Sequence, residues 1–478
     1  MTRSLARLVF PALRWRRGSF AHERPKIDAA LAASVGGFIL FGGTVEAVTA
    51  LAHDLRQQAG RPLLIGADLE RGPGQQVEGL TELPPPAALG FLADVEATRT
   101  CGVVTASEAR AVGITWAFAP VCDLDVEPRN PIVQTRSFGA EPAPVGAHAA
   151  AWIQGCQGHG VQACAKHYPG HGRTVQDSHA TLPRVAATAD ELRRTDLVPF
   201  AAAIRAGVGS VMSAFVAYPG WDASGRAAGF SREILGYLRG PLSFAGLVVT
   251  DALIMAGATA AQREAPATIA AVVAGGDALL YPTDWAAVVR ALDAAVGTAI
   301  PSARADEALA RYEAAVGVWG RGDVGPGPPD LAADATFADG VADRAVHLVR
   351  GEPRVLRSPL DVHIVDDDVG GPYRVGPRDV FARTLTENGI RTTGGGRGES
   401  GVVLVYAEPR SWKGRADLGA RALSALRRRI GGAQLVVLFA HPRLVRQIPG
   451  TVPVLCCWHG QPLMQRAAAR WVLGKLKS

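Results

Sequence analysis

Residues 165–183 read AKHYPGHGRTVQDSHATLP and follow directly on an apolar run, GVQACA (160–165). The run has the length and composition of a buried strand. After it, Pro169, Gly170 and Gly172 end any helical continuation and impose a shaped loop. That loop carries Lys166, His167, His171, Asp177 and His179. Several ionisable groups on a loop held by a strand are the usual dress of a catalytic site. The same arrangement recurs outward along the chain. LLIGADLERGPG (63–74) places Asp68 and Glu70 after an apolar strand, and VVTDALIM (248–255) ends a β-branched run on Asp251. A single aspartate after a strand is an ordinary turn former or helix cap. Repetition at three strand ends points to one functional face.

Up to residue 320 strand-like runs alternate with helical spacing. The runs are LVFPAL, VGGFILFGG, PLLIGAD, ITWAFAPVCDL, VQACAKH, GSVMSAF, LVVTDAL and DALLYP; Val45, Val48, Leu51 and Leu55 before Gly60 exemplify the helices between them. Near-continuous apolar strands joined by amphipathic helices predict a parallel sheet covered on both faces. About eight such units in this length predict a (β/α)₈ barrel of the TIM type, whose sites lie at the C-terminal strand ends. Asp68, Lys166, His167 and Asp251 all fall at such ends. GRGDVGPGPPD (320–330) is Gly/Pro-rich and aperiodic, and so predicts a linker. The division is then 1–320 for the barrel, 321–335 for the linker and 336–478 for a smaller three-layer α/β domain. Within the latter, TTGGGRGES (392–400) precedes a strand and is read as a flexible turn. Asp366-Asp367-Asp368 is read as a solvated acidic turn.

Composition narrows the function. With 48% hydrophobic and 20% charged residues in 478, the chain has material for two packed units. The net charge of +6 comes from arginines that are mostly scattered, with no basic face interleaved with aromatics, which argues against nucleic acid as a partner. The six cysteines show no CxxC and no metal-ligand spacing, and several sit in apolar runs, so buried free thiols and a reducing compartment are expected. The N-terminal apolar patch is broken by Pro11 and is too short for a signal peptide or a membrane span. A cytoplasmic location follows as an expectation. His167 and His171 are four apart, but Pro169 and Gly170 break the helix such a metal pair requires. No metal and no cofactor are expected.

These segments resemble glycoside hydrolase family 3, and in particular its β-N-acetylglucosaminidase branch. The likeness is carried by KHYPGHG running into Asp177-Ser178-His179, by GGFILFGG (36–43), FAPVCDLDVEPRNP (118–131), RSFG (136–139) and GFSREILGYLRGPLSFAGLVVTDALIM (229–255), and more weakly by VVLFAHPRLVRQIPGTVPVLCCWHGQPLMQRAAA (436–469). The resemblance implies a retaining exo-acting hydrolase of terminal β-linked N-acetylglucosamine in cell-wall fragments, with a carbohydrate as its partner. It implies Asp251 as nucleophile and a His179–Asp177 dyad as acid/base. It also implies Asp68, Arg136, Lys166 and His167 as sugar ligands. Two departures stand out. Relatives read DxEGGRVxR where this chain has DLERGPGQQV, so Gln76 replaces an arginine and Arg71 replaces a glycine. Phe215 stands where many relatives carry histidine. Arg71 with Gln76 is expected to substitute for the missing arginine. As ordinary ion pairs, Arg136 would meet Asp123 or Asp125. A family 3 β-glucosidase or β-xylosidase, a glycoside phosphorylase, and a non-catalytic sugar-binding protein are the competing readings. The sequence leaves oligomeric state open.

Overall fold

The computed structural model describes residues 4–178, 180–259, 263–321, 327–352, 355–371, 375–394, 400–410 and 412–476. Among the described residues, nine short strands make the first unit: β1 (Val9–Phe10), β2 (Ala12–Arg14), β3 (Gly37–Phe41), β4 (Leu64–Ala67), β5 (Trp116–Ala117), β6 (Gln162–Tyr168), β7 (Ser210–Ser213), β8 (Leu247–Thr250) and β9 (Leu279–Leu280). β2 to β8 form one parallel sheet in sequential order. β1, separated from β2 by Pro11, pairs with β9, and Val249 bridges to Ala278, so the sheet curls into a closed ring. This is the (β/α)₈ barrel.

Both faces of each strand are buried, which is why alternation is hard to see in the sequence. Ile39, Leu64, Trp116, Cys164, Met212 and Val249 belong to the cluster inside the ring. Phe38, Leu40, Ile65, Ala163, Val211 and Val248 pack outward against the helices. Each buried aliphatic contributes about 1.5–3 kcal/mol relative to exposure. Trp116 meets Phe10 and Phe118 edge-on at 5.3 and 5.0 Å, and its indole N–H donates to Ser210 Oγ at 2.8 Å. The interior is therefore filled and its polar atom satisfied. The helix Val45–Ala59 starts where the Thr44 hydroxyl accepts from Ala47 N–H and stops at Gly60, whose φ of 61° suits glycine.

The second unit is a six-stranded sheet of β10 (His347–Arg350), β11 (Leu360–Asp366), β12 (Thr392–Thr393), β13 (Ser400–Ala407), β14 (Ala433–Ala440) and β15 (Val454–Cys456). Its order is β10-β15-β14-β13-β11-β12, parallel except for the antiparallel edge strand β10. Most of TTGGGRGES lies outside the described residues. Residues 331–335, read from sequence as linker, are the first turn of the helix Leu331–Ala345: Asp330 caps it by accepting from Ala333 N–H, a signal masked by the prolines before it. The acidic run at the end of β11 is not a solvated turn. Asp366 and Asp368 take Arg378 at 2.9 and 2.7 Å, and Asp367 takes Arg415 at 2.7 Å. All six cysteines are buried and unbridged. Among the described residues no helix is long and apolar enough to cross a membrane.

Candidate active site

The closed ring brings the C-terminal ends of its strands around one axis, and a cleft of about 680 Å³ opens there. Asp68, Arg136, Lys166, His167, Ser178 and Asp251 line it together, although they are spread over nearly two hundred positions of chain. Arg71 and Gln76 are also on its wall. Of the residues singled out by sequence, His179 lies outside the described residues.

Lys166, read from sequence as a loop residue, lies with His167 inside β6; it is 2% exposed, with its ammonium 2.8 Å from Asp68 and 2.7 Å from Glu70. A cation so buried needs partners. Burial alone would lower its pKa; Asp68 and Glu70 outweigh burial and raise it. Arg136 grips Glu70 through two parallel bonds, Nε at 2.8 Å and Nη2 at 2.6 Å. Glu70 is thereby held well below the usual carboxylate range despite burial. The ion-pair partner of Arg136 is thus Glu70, where the alternative to a sugar-ligand role named Asp123 or Asp125. Asp125 instead meets Arg443 and His441 of the second unit.

Asp123 serves the histidine loop. Its Oδ2 lies 2.6 Å from His167 Nδ1, while its Oδ1 accepts the backbone N–H groups of His167 at 3.1 Å and His171 at 2.7 Å. His171 sits between the hydroxyls of Thr174 and Ser178, each 2.9 Å away, and burial pushes its pKa down to about 4, so the ring is neutral at working pH. Glycine is required at position 172, because a Cβ there would lie 1.7 Å from the carbonyl oxygen of Leu124. The loop is thus tied to the 122–125 strand-end segment on one side. On the other, Ser178 C=O accepts from Gly257 N–H at 2.9 Å, just beyond Asp251. Asp177 is buried.

Asp251 follows β8. Its N–H donates to Ser213 C=O at 3.2 Å, and its Oδ1 accepts from Ala252 N–H at 2.7 Å. Both bonds fix the carboxylate at the ring's rim. Arg14, bonded to the Tyr281 hydroxyl through Nε at 2.8 Å, closes the cleft nearby. Gln76 Oε1 accepts from Gly42 N–H at 3.1 Å. Arg71 contacts Gln461 and His459, 390 and 388 positions away. Phe215 is buried against Phe230 at 5.2 Å. Sequence reasoning missed Glu70 and Asp123 as the residues that orient Arg136, Lys166 and His167. It also missed Arg410, which reaches the cleft wall from the end of β13. Their signal was a carboxylate or arginine after an apolar strand, a pattern the chain uses in many places. Among the described residues, no three His, Cys, Asp or Glu converge as a metal site.

A cleft lined by two carboxylates, Asp68 and Asp251, and a set of fixed donors suits a polyhydroxylated substrate and acid–base chemistry on it. Comparison with known proteins agrees. Residues 13–314 match the glycosyl hydrolase family 3 N-terminal domain. The chain is 40% identical over 269 residues to a beta-hexosaminidase of Chromobacterium violaceum, covering 54% of this chain and 74% of that one. It is 33% identical over 388 residues to a beta-N-acetylglucosaminidase/beta-glucosidase of Cellulomonas fimi, covering 75% and 68%. The solved family 3 beta-N-acetylglucosaminidase of Paenibacillus sp. str. FPU-7 superposes with a TM-score of 0.86 at 25% identity, covering 100% of this chain and 97% of that one. With its barrel, its strand-end cleft and these relatives, the chain belongs to glycosyl hydrolase family 3.

Proposed function

We propose that the protein is a retaining, exo-acting β-N-acetylhexosaminidase that removes terminal β-linked N-acetylglucosamine from cell-wall-derived fragments. The observation that carries this reading is the single cleft in which Asp251 faces Asp68, Lys166, His167 and Arg136. The names of the similar relatives support the hexosaminidase class. Six buried, unbridged thiols fit action in a reducing compartment such as the cytoplasm.

In this mechanism Asp251 attacks the anomeric carbon and forms a glycosyl-enzyme intermediate as the aglycone oxygen departs. His179 gives that oxygen its proton, then takes one from the incoming water. Asp177 orients the ring and stabilises the imidazolium. Asp68 accepts sugar hydroxyls at the end remote from the anomeric carbon, while Lys166 and Arg136 hold it and the ring. Because Lys166, Arg136 and His167 are each fixed by a buried carboxylate, they meet the substrate without reorganising.

A panel of 4-nitrophenyl glycosides, assayed with and without phosphate, tests the reading. The β-N-acetylglucosaminide should be the preferred substrate, with the β-anomer of the free sugar formed first. Preference for the glucoside or xyloside would reassign the substrate, and glycosyl phosphate as product would make the enzyme a phosphorylase, a chemistry a histidine acid tolerates because it does not repel the anion. Asp177→Ala should slow substrates with poor leaving groups at least tenfold more than activated aryl glycosides, which need little protonation. Equal losses would remove Asp177 from the acid/base role.

A further inference from the structure

The cleft does not end at Asp68. A second cavity of about 520 Å³ continues from that end, sharing Asp68, Arg71, Gln75, Gln76, Arg136 and Arg410 with the cleft, while Asp251, His171 and Ser178 line only the cleft. A sugar placed with its anomeric carbon at Asp251 therefore points its opposite end into this space. That orientation rests on the hydrolase reading above.

The far wall belongs to the second unit. It is made by Pro377 and Arg378 after β11, by Glu408 and Arg410 after β13, and by His459 and Gln461 after β15. In the sheet order β12-β11-β13-β14-β15 the chain reverses direction of winding between β11 and β13. Open α/β sheets bind ligands outside the carboxyl ends of their strands at such a switch point. Here that crevice faces the carboxyl ends of the barrel strands, so the binding edges of two α/β folds enclose one cavity.

The charges on the wall are unequally engaged. Glu70 is taken by Arg136 and Lys166, and Asp68 by Lys166. Glu408 accepts from Arg410 at 2.6 Å, Arg378 at 3.4 Å and Gly460 N–H at 3.1 Å. Glu82 accepts from Leu463 N–H, and burial raises its pKa toward the neutral form. Arg71 makes its side-chain hydrogen bonds to Gln461 and to His459, a ring that burial and the neighbouring Arg71 push down to about 3 and so keep neutral, while Glu408, Glu82 and Glu70 act on Arg71 through space. Arg410 gives Nη2 to Glu408, and among the described residues its buried Nε has no hydrogen-bond partner. An unmet buried donor is costly unless a ligand meets it.

We infer that this cavity is a subsite for an anionic group, phosphate or carboxylate, carried by the terminal sugar at the end remote from its anomeric carbon, with Arg71 and Arg410 as its ligands. Guanidinium forks bind such anions through paired, charge-assisted bonds. Gln76, whose Oε1 accepts from Gly42 N–H at 3.1 Å, lines both the cleft and this cavity on the barrel side.

Calorimetric titration with N-acetylglucosamine, N-acetylglucosamine 6-phosphate and glucuronic acid tests this without requiring turnover. The wild-type protein should bind the phosphorylated sugar at least about tenfold more tightly than N-acetylglucosamine. Arg410→Gln and Arg71→Gln, each checked for an unchanged melting profile, should each erase most of that advantage. A larger gain with glucuronic acid would identify the anion as a carboxylate. No gain with either anion, or a gain that survives both substitutions, overturns the inference. Release of intact disaccharide from 4-nitrophenyl chitobioside would also overturn it, since the cavity would then hold a neutral sugar. If the protein hydrolyses no glycoside yet shows the arginine-dependent gain, the subsite stands and the hydrolase reading falls. Hydrolysis without the gain means the reverse.

Discussion

The two halves of the molecule carry the same chemistry at their strand ends and put it to opposite uses. In the barrel, Asp68, Glu70 and Asp251 follow apolar strands, and Lys166 and Arg136 reach Asp68 and Glu70 from neighbouring segments. In the second unit, Asp366, Asp367, Asp368 and Glu408 follow apolar strands and share their loops with Arg378, Lys413 and Arg415. The second set is consumed internally: Arg378 spans Asp366 and Asp368, and Lys413 sits 3.4 Å from Asp367. The barrel set leaves Asp68 a third exposed and Asp251 facing a cleft. Closure makes the difference. A ring points every strand end at a common axis, where the groups converge on a space too wide for them to bridge. An open sheet spreads its ends along an edge, where neighbouring loops fold over Asp366, Asp367 and Asp368 and neutralise them, leaving the ends of β13 and β15 to line the neighbouring cavity.

Substitution at matched positions puts this contrast at risk. Asp251→Asn should lower kcat on every active glycoside by about a thousandfold, roughly 4 kcal/mol of barrier, with the fold intact. Retention of more than about a tenth of wild-type kcat would remove Asp251 as nucleophile. Asp366→Asn, its counterpart at the end of β11, should leave kcat within about twofold; a comparable loss there would abolish the distinction between the two edges.

Glu70→Gln should destabilise the protein by about 3–5 kcal/mol, because Lys166 and Arg136 then share one buried neutral partner. Asp417→Asn, which breaks the half-exposed pair with Arg446 in the second unit, should cost no more than about 1 kcal/mol. Denaturant titration of both variants compares them directly; equal losses would mean the barrel set is no more tightly coupled than the other.

The seam between the units has its own pH signature. Glu108, on the helix Val95–Ala111, accepts from Thr81 N–H at 2.7 Å, and burial lifts its pKa from 4.5 to about 7. Between those values the folded chain keeps a proton that the unfolded chain has released, so stability falls as pH rises through the window and levels off above it. Glu108→Gln keeps an acceptor for Thr81. It should flatten that slope and raise stability near neutral pH by about 1–2 kcal/mol. Melting curves between pH 5 and 8 that superpose for both proteins would show the slope arises elsewhere.

The smallest effect concerns the division at 320. We take 1–320 and 331–478 as the two units, the second opening on the helix Leu331–Ala345, so proteolysis should cut within 321–330 and yield two protected fragments. Arg344 to Asp94 at 2.6 Å, Gln461 to Leu83 C=O at 2.7 Å and Phe91 stacked on His347 at 3.9 Å should hold the nicked halves together. Activity should stay within about twofold, and a first cut elsewhere would move the boundary.

Sequence by itself determined the barrel, because burial on both faces and the spacing of turn residues are local properties that repeat about eight times. It also pointed to the strand ends that carry Asp68, Lys166, His167 and Asp251, since a loop broken by proline and glycine cannot be part of the packed frame. Partners were another matter. Asp123 and Asp125 are two residues apart and read alike, yet one holds His167 and the other crosses to Arg443. Arg71 sits beside Glu70 in sequence but reaches Gln461 instead. Those choices depend on which way a side chain leaves its strand and what the other unit brings within a few ångströms. Such non-local geometry leaves no periodic trace in the chain, and only the tertiary structure decided it.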